Sequence, residues 1–325
     1  MSDIAIGVQG VRKRFGEVEA LAGVDFDVPQ GTVFGLLGPN GAGKTTVIRV
    51  LSTILRPDDG HAEVLGYDVM RDPEAVRRRI GLAGQNAAVD QNLTGLENLA
   101  MVGVLAQMPR PAIKPRAQEL LDRFQLADAA DRPLRTYSGG MRRRLDVAAS
   151  LMHKPPVLFL DEPTTGLDIN SRNELWDMIR ELVSDGTTVL LTTQYLEEAD
   201  ILAERIAVVD GGRVIANDTP SALKTQLGST VFEMDMPQGG AERALALLTP
   251  VVTGRVERED GHLRITSEHG AGALIDILRT LDGAGLVPQT LTVREPSLDD
   301  VFLALTGRHA EATDGAPEAS RGDAA

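Results

Sequence analysis

The chain has 325 residues, of which 42% are hydrophobic and 25% charged, with a formal net charge of −14 and no cysteine. This length favours about two domains with a substantial core, and without cysteine there are no disulfides, thiolate metal ligands or thiol nucleophiles. The acidic charge argues against broad binding to nucleic acid. No apolar run approaches the roughly 20 residues of a membrane span, and the N-terminus lacks the features of a signal peptide. We therefore expect a cytosolic chain. If it serves a membrane process, the membrane-spanning part is expected on another polypeptide.

A phosphate-binding loop follows the first clear strand. Residues 32–37 are strand-like and lead into GPNGAGKTT, which contains the pattern G-x-x-x-x-G-K-[ST], and a helix is expected over residues 44–55. Glycines let backbone amides wrap the β- and γ-phosphates, Lys44 adds a positive charge and Thr45 offers a hydroxyl to Mg²⁺. A plain glycine-rich turn would leave Lys44 and Thr45 unexplained. The residues expected to contact the nucleotide are Gly38, Pro39, Asn40, Gly41, Ala42, Gly43, Lys44, Thr45 and Thr46.

A mostly helical insert is expected over about residues 86–152. Thr94-x-x-Glu97 is a capping box that predicts a helix to about Gln107. Residues 108–115 hold three prolines and predict a break, after which helical spacing resumes over residues 115–126.

A second anion-binding device lies late in this insert. Ser138-Gly139-Gly140-Met141 opens a helix, where bare backbone amides and the positive end of the helix dipole attract a phosphate. The local alternative, with Ser138 as an ordinary N-cap, is compatible with that role.

A carboxylate pair, Asp161-Glu162, ends the buried strand expected over residues 157–160. Ligands of open α/β sheets collect at the carboxyl ends of the strands. We therefore expect Asp161 to reach Mg²⁺ and Glu162 to polarise the attacking water; the alternative is a solvated strand end. Two phosphate-binding devices with one set of carboxylates suggest a site shared between two subunits.

The next elements continue an alternation of strands and helices. Ser171-x-x-Glu174 is a further capping box and predicts a helix to Leu182. Residues 188–192 predict a buried strand, followed by a helix near residues 196–204 and a hairpin around Gly211-Gly212. This alternation is typical of a parallel sheet covered by helices on both faces.

The composition shifts after about Gly228. Six segments follow in the order strand, helix, strand, strand, helix, strand, at residues 231–236, 241–248, 252–259, 262–267, 271–281 and 289–294. That order suggests a small ferredoxin-like α+β domain. An amphipathic piece over residues 298–305 follows, and the tail 308–325, rich in Ala, Gly, Glu and Asp, is expected to be disordered.

Taken in order, these motifs resemble the ABC ATPase domain over about residues 4–220. The resemblance implies an α/β P-loop NTPase fold over residues 1–226, with a helical subdomain at about 86–152, and a small α+β domain for regulation or dimerisation over residues 228–307. In that family the signature Ser138-Gly139-Gly140-Met141 binds the γ-phosphate of ATP held on the opposing subunit. Tyr137 and Met141 stand where Leu and Gln are more usual.

The resemblance also implies roles for three isolated residues. Gln85 stands where the family has a glutamine that senses Mg²⁺ or water and links the helical insert to the membrane partner. Asp168 matches the aspartate of a loop that crosses the dimer interface, and Phe15 matches the aromatic that stacks on adenine. Without the resemblance, a turn or cap aspartate and a core phenylalanine are the ordinary interpretations.

One position departs from the family pattern. Gln194 stands where most members carry a histidine after the strand. Glutamine can donate a hydrogen bond to the γ-phosphate, but it carries no charge and does not titrate near neutral pH. Our hypothesis is that Gln194 keeps a sensing contact while hydrolysis is slow or relies on Glu162. The expected catalytic set is therefore Lys44, Glu162 and Gln194.

Two arginine runs remain, at residues 77–79 and 142–144. The first is expected to form a solvated helix face. The second follows the signature turn, where it either adds positive potential near phosphates or pairs with acidic neighbours.

A narrower resemblance, to the daunorubicin/doxorubicin resistance ATP-binding family of drug exporters, depends on the segments YSGGMRRRLD, TTQYLEEAD and SLDDVFLALTG. It implies efflux of a drug or antibiotic through a separate integral membrane permease of the ABC-2 type. Two copies of this chain would sandwich two ATP molecules with Mg²⁺ on the cytoplasmic face of the membrane. Neither nucleic acid nor direct contact with the transported molecule is expected.

Three alternatives stay open. The first is export of a lipid, polysaccharide or other molecule by a similar complex, which the ATPase sequence does not separate from drug export. The second is a non-transport ABC protein acting on DNA or ribosomes, which the single cassette, the absence of heptads and the net charge of −14 disfavour. The third is a catalytically dead regulatory protein, which intact Lys44, Asp161 and Glu162 disfavour.

Overall fold

The computed structural model describes residues 3–84, 89–226, 230–237, 239–267 and 270–307. The strands are β1 (Ile4–Phe15), β2 (Val18–Pro29), β3 (Val33–Leu37), β4 (Asp59–Val64), β5 (Tyr67–Asp68), β6 (Ile80–Ala83), β7 (Val157–Asp161), β8 (Thr188–Thr193), β9 (Arg205–Asp210), β10 (Arg213–Asp218), β11 (Thr230–Asp235), β12 (Gly254–Glu259), β13 (His262–Ser267) and β14 (Thr290–Arg294). The helices are α1 (Lys44–Leu51), α2 (Pro73–Arg77), α3 (Gly95–Leu105), α4 (Arg110–Arg123), α5 (Gly139–Ser150), α6 (Ile169–Ser184), α7 (Leu196–Leu202), α8 (Pro220–Thr225), α9 (Gly240–Leu248), α10 (Gly270–Gly283) and α11 (Leu298–Thr306).

A six-stranded sheet with the order β10-β9-β3-β8-β7-β6 carries the motif loops. Its strands are parallel except for the hairpin of β9 and β10. Every residue of β3, β7 and β8 is buried, as expected for a parallel sheet covered on both faces. Because β3 and β7 both pair with β8, the loops that follow these three strands meet at one edge.

A second sheet, in the order β2-β1-β4-β5, was not predicted from the sequence. Its pairs are antiparallel. Its apolar face and β3 share one hydrophobic core, in which the rings of Phe26 and Phe34 stack with centroids 5.3 Å apart. This sheet brings β2 against the phosphate-loop region.

The helical insert contains α3, α4, two short 3₁₀ turns and α5. The predicted capping box is present at the start of α3, where Thr94 accepts from the Glu97 amide and the Glu97 side chain accepts from the Thr94 amide. The predicted break is present but shorter than expected: α3 ends at Leu105, and α4 already begins at Arg110 rather than at Pro115. Pro111 lies in the first turn, where its missing N–H has no intrahelical partner to lose, and the helix continues through Pro115.

The start of α6 also differs from the prediction. Asp168 is its N-cap and accepts from the Ser171 amide, so the helix begins at Ile169 rather than at Ser171. Aspartate is as good an N-cap as serine, and here it comes first along the chain.

The C-terminal elements follow the predicted order and form a sheet β12-β13-β11-β14, in which all neighbours are antiparallel. This is the ferredoxin-like arrangement, with α9 and α10 contributing to its core. Helix α11 then returns to the first domain, and Leu298, Val301 and Phe302 join the core that contains Leu196 and Leu223. In the part of the chain that the structure describes, no helix has both the length and the apolar character for a membrane span.

Candidate functional site

The phosphate loop depends on two glycines that lie against neighbouring backbone. A Cβ on Gly38 would lie 2.2 Å from the carbonyl oxygen of Val209. A Cβ on Gly43, whose φ is +108°, would lie 2.6 Å from the carbonyl oxygen of Ala20. Any side chain at either position would displace β9 or β2, so the tight path of the loop requires glycine.

Lys44 is 4% exposed and lies inside the loop. Its Nζ donates to the carbonyl oxygens of Gly38 (2.7 Å) and Pro39 (3.1 Å) and lies 3.7 Å from Glu162 Oε1. The loop borders a cavity of 170 Å³, lined by Ala20, Asn40, Gly41, Ala42, Gly43, Lys44, Thr45, Thr46 and Glu162. The structure thus brings the loop that follows β3 and the carboxylate that follows β7 together around a concave space.

Asp161 is buried at the end of β7 and is held by two hydroxyls. Thr192 Oγ1 donates to Asp161 Oδ1 at 2.6 Å, and Thr45 Oγ1 donates to the same oxygen at 3.2 Å. A hydroxyl beside a carboxylate is a donor set that suits Mg²⁺, which usually takes one or two carboxylates together with phosphate oxygens and water. Within the described ranges no three His, Asp or Glu side chains cluster as a metal site.

Glu162 has a left-handed backbone, with φ +49°. That conformation is unfavourable for a residue with a Cβ and persists only where the surroundings enforce it. The Glu162 amide donates to Thr192 Oγ1 (3.0 Å) and to the Thr192 carbonyl oxygen (3.1 Å). Thr192 therefore positions both carboxylates, a role that the sequence analysis missed.

The signature turn begins α5, away from this cavity. Ser138 is the N-cap, and its Oγ accepts from the Met141 amide at 3.2 Å. A Cβ on Gly139 would meet open space, whereas a Cβ on Gly140 would lie 2.5 Å from Ser171 Oγ on α6. None of the four signature residues is among the residues that line the 170 Å³ cavity.

Asp168, the N-cap of α6, is close to the signature through its neighbour Ser171. Its carboxylate accepts from the Ser171 amide and hydroxyl, each at 2.9 Å. These bonds hold the pKa of Asp168 below its usual value. The local capping interpretation is therefore correct for this residue.

The remaining predicted residues lie in three different settings. Gln194 follows β8, and its buried Oε1 has no hydrogen-bond partner among the residues described. Phe15, at the end of β1, is 49% exposed, with Lys13 Nζ 5.8 Å from the ring centroid. Gln85 lies outside the described residues.

Several side-chain contacts join α6 to α7. The Arg172 guanidinium lies 5.1 Å from the centre of the Tyr195 ring, and its Nη1 lies 4.0 Å from Glu197 Oε2. Trp176 Nε1 donates to Glu198 Oε1 at 3.1 Å, and Arg180 Nη2 donates to the Ile201 carbonyl oxygen at 3.5 Å. Asp168 caps α6 and Gln194 lies just before α7, so these contacts join the two helices that adjoin two predicted site residues.

Glu198 is fully buried, and burial raises its pKa above the ordinary value of 4.5. The folded state therefore favours the neutral acid, and stability is lost as the pH rises from about 4.5 through the folded pKa. We expect Glu198→Gln to gain stability relative to the wild type over that interval. Urea unfolding at a series of pH values, followed by the fluorescence of the single tryptophan, Trp176, measures the difference. Glu204→Gln, at an exposed position just after α7, is the control, and a gain that does not change with pH would contradict the prediction.

Solved structures share this architecture. An ATP-binding subunit of an ABC transporter has a TM-score of 0.62 and 26% identity, over 68% of this chain and 92% of that one. A dimeric ATP-binding cassette in a post-hydrolysis state, bound to ADP and Pi, has a TM-score of 0.60 and 26% identity, over 66% of this chain and 98% of that one. The fold is that of an ABC ATPase, a protein that binds nucleotide and hydrolyses ATP.

Sequence relatives narrow the class. Residues 21–165 match the ABC transporter family, and residues 219–306 match the family described as ATP-binding protein DrrA1-3-like, C-terminal domain. Daunorubicin resistance ATP-binding protein DrrA3 of Streptomyces coeruleorubidus is 52% identical over 94% of this chain and 97% of that protein. Daunorubicin/doxorubicin resistance ATP-binding protein DrrA of Streptomyces peucetius is 50% identical over 94% of each. Nod factor export ATP-binding protein I of Ralstonia nicotianae is 40% identical over 93% of this chain and 94% of that protein. The chain therefore belongs to the DrrA-like family of ABC transporter ATP-binding proteins.

Proposed function

We propose that this chain is the ATP-hydrolysing subunit of an exporter that removes a drug or antibiotic from the cell. The observation that supports an ATPase working as a dimer is that its site is divided: no signature residue lines the cavity at Lys44 and Glu162, although the chain has a complete signature turn. The names of the DrrA relatives, which refer to daunorubicin and doxorubicin resistance, support the drug as cargo.

The residues around the cavity have separable roles in this proposal. The loop amides of residues 38–46 and Lys44 bind the phosphates of ATP. Thr45 and Asp161 hold Mg²⁺, which when bound neutralises charge on the β- and γ-phosphates. Glu162, 3.7 Å from Lys44 Nζ, orients the attacking water and accepts its proton. Phe15 stacks on adenine, and the role of Gln85 remains a prediction.

Two copies of the chain complete each other's sites. Ser138 and the amides that follow it, at the positive end of α5, bind the γ-phosphate of ATP held by the partner. Asp168, next to the signature through Ser171, lies at the same interface. The dimeric relative with ADP and Pi supports this arrangement.

The rest of the complex is proposed as follows. Residues 1–226 form the ATPase domain with its helical subdomain at about 86–152, and residues 228–307 form a regulatory or dimerising domain. A separate permease of the ABC-2 type spans the membrane, and the ATPase binds its cytoplasmic face. Closure on ATP and release after hydrolysis then bias the permease between two states.

Drug accumulation tests the proposal. The chain is expressed together with a candidate permease of the ABC-2 type from its own genome in a drug-sensitive host, and intracellular doxorubicin is followed by its fluorescence. The wild type is expected to lower accumulation, and Lys44→Ala is expected to abolish the effect at equal expression.

The relative named for Nod factor export supports one alternative, a cargo that is not a drug. Unchanged doxorubicin accumulation by a pair that hydrolyses ATP would exclude the drug and favour this alternative.

Gln194 is expected to contribute a contact but no charge. Gln194→Ala should lower ATP turnover by about tenfold or more, since a hydrogen bond to a charged group contributes about 1.5–3 kcal/mol. Gln194→His should restore turnover and add a dependence on pH near 6.5, the usual pKa of histidine. Steady-state ATPase assays at several pH values measure both. Unchanged turnover in Gln194→Ala would remove this residue from the mechanism.

A further inference from the structure

Arg143, on α5 five residues after Ser138, extends from the signature helix into the catalytic region. Its side chain is 11% exposed. Its Nε donates to the Pro163 carbonyl oxygen at 2.7 Å and its Nη2 donates to the Asp161 carbonyl oxygen at 3.0 Å. The guanidinium thus binds the backbone on both sides of Glu162.

This contact adds to the restraints on the strained residue. The Glu162 amide is already bound by Thr192, and its φ of +49° is a conformation that needs enforcement from outside. Thr192 holds one side of the turn, and Arg143 holds the carbonyls before and after it. Together they direct the Glu162 side chain toward Lys44 Nζ.

The same side chain reaches the segment that precedes Gln85. Arg143 Nη1 donates to the Gly84 carbonyl oxygen and to Asp146 Oδ2, the latter at 3.3 Å. Burial lowers the pKa of Arg143, and the nearby carboxylates of Asp146 and Asp161 oppose that shift. A planar guanidinium supplies several N–H donors in fixed directions, whereas the single ammonium of lysine does not. The set of three carbonyl partners therefore requires arginine.

We propose that Arg143 is a positioning residue for ATP hydrolysis, which fixes the backbone around Glu162 and connects it to the helix that begins at the signature. The inference is based on the proposed role of Glu162. In the dimer, the Arg143 side chain would link the signature turn, which binds the partner's ATP, to Glu162 of the chain's own site.

Kinetics of Arg143→Lys provide the first test. The variant keeps the positive charge but loses the guanidinium donors that bind the three carbonyl oxygens. Because misplacement of a catalytic group by about 1 Å can lower the rate by about 10²-fold, we expect kcat to fall by about 10²-fold. KM for ATP and the stoichiometry of ATP-analogue binding should stay at wild-type values, because the phosphate loop is unaffected.

Arg116→Lys is the matched control. Arg116 lies in the same helical insert, its side chain is also 11% exposed, and its Nη2 donates to the Leu151 carbonyl oxygen at 2.8 Å. We expect this control to lose similar stability in urea unfolding and to keep its kcat. Equal loss of kcat in both variants would show that Arg143 is only structural and would overturn the proposal.

A double-mutant cycle identifies the residue through which Arg143 acts. If the effect passes through Glu162, Arg143→Lys adds no further loss in a Glu162→Gln background, as measured by single-turnover hydrolysis of labelled ATP. An equal further loss in that background, or wild-type kcat in Arg143→Lys alone, overturns the proposal. The proposed function fails separately, if Glu162→Gln itself turns over ATP like the wild type.

Discussion

Replacing Glu162 with glutamine is expected to lower ATP turnover by about 10² to 10⁴-fold, the usual contribution of a positioned general base. Glutamine keeps the size of the side chain and its hydrogen-bonding oxygen, but it does not accept a proton from water. Single-turnover hydrolysis measures the loss. Equilibrium binding of ATP should be retained, because Lys44 and the loop amides are unchanged. ATP-bound dimers should therefore accumulate in size-exclusion chromatography.

Glu181→Gln is the control for this prediction. Glu181 is an exposed carboxylate on α6 that lies 4.0 Å from Arg123, so its neutralisation should leave turnover unchanged. If Glu162→Gln hydrolysed ATP at more than a tenth of the wild-type rate, the role of Glu162 as base would be wrong.

Gly139→Asp is expected to reduce the rate of ATP hydrolysis by about 10²-fold or more. Loss of one hydrogen-bond donor to the transition state has an effect of that order. Gly139 is the first residue of α5, and a Cβ there meets open space. An aspartate in the first turn of a helix is compatible with the fold and favourable for the dipole. Its charge would instead repel the γ-phosphate of the partner's ATP. Thermal unfolding should show an intact protein, and binding of ATP to monomers should stay normal.

Gly283→Asp controls for the added charge, since a Cβ at Gly283 in α10 also meets open space.

A second experiment identifies the partner's contribution. Lys44→Ala has a defective phosphate loop and an intact signature turn, whereas Gly139→Asp has a defective signature turn and an intact phosphate loop. Mixed together, the two inactive variants should form heterodimers with one complete site, and partial activity should return. Failure to recover activity from well-mixed heterodimers would contradict a shared site.

The features predicted correctly from the sequence are those that a short segment determines by itself. The loop around Lys44 needs glycines at fixed spacing, the Thr94 capping box closes within four residues, and the C-terminal elements appear in the predicted order. The buried strand that ends at Asp161 could also be recognised, because a continuous apolar run is typical of a parallel sheet.

The features that sequence analysis missed depend on neighbours distant in the chain. Thr192 on β8 donates a hydrogen bond to Asp161 on β7. Arg143 on α5 donates to the carbonyl oxygen of Pro163, in the loop after β7. Their residue types carry no signal of these partners. The start of α4 was predicted incorrectly for a different reason. A proline is favourable in the first turn of a helix and unfavourable in its interior, so its effect depends on where the helix begins, which the sequence alone did not show. The pairing of β1 with β4 is long-range in the same sense, whereas β1 and β2 form a local hairpin that the analysis overlooked.

The side-chain contacts between α6 and α7 have a practical consequence for chimaeric proteins. A chimaera that takes α6 from a relative and keeps the native α7 would have mismatched partners for Trp176, Arg172 and Arg180. A transplant of residues 168–202 as one block would carry both helices with their partners. Because Asp168 begins this block and Gln194 lies within it, the transplant would also keep these two predicted site residues in their native relation.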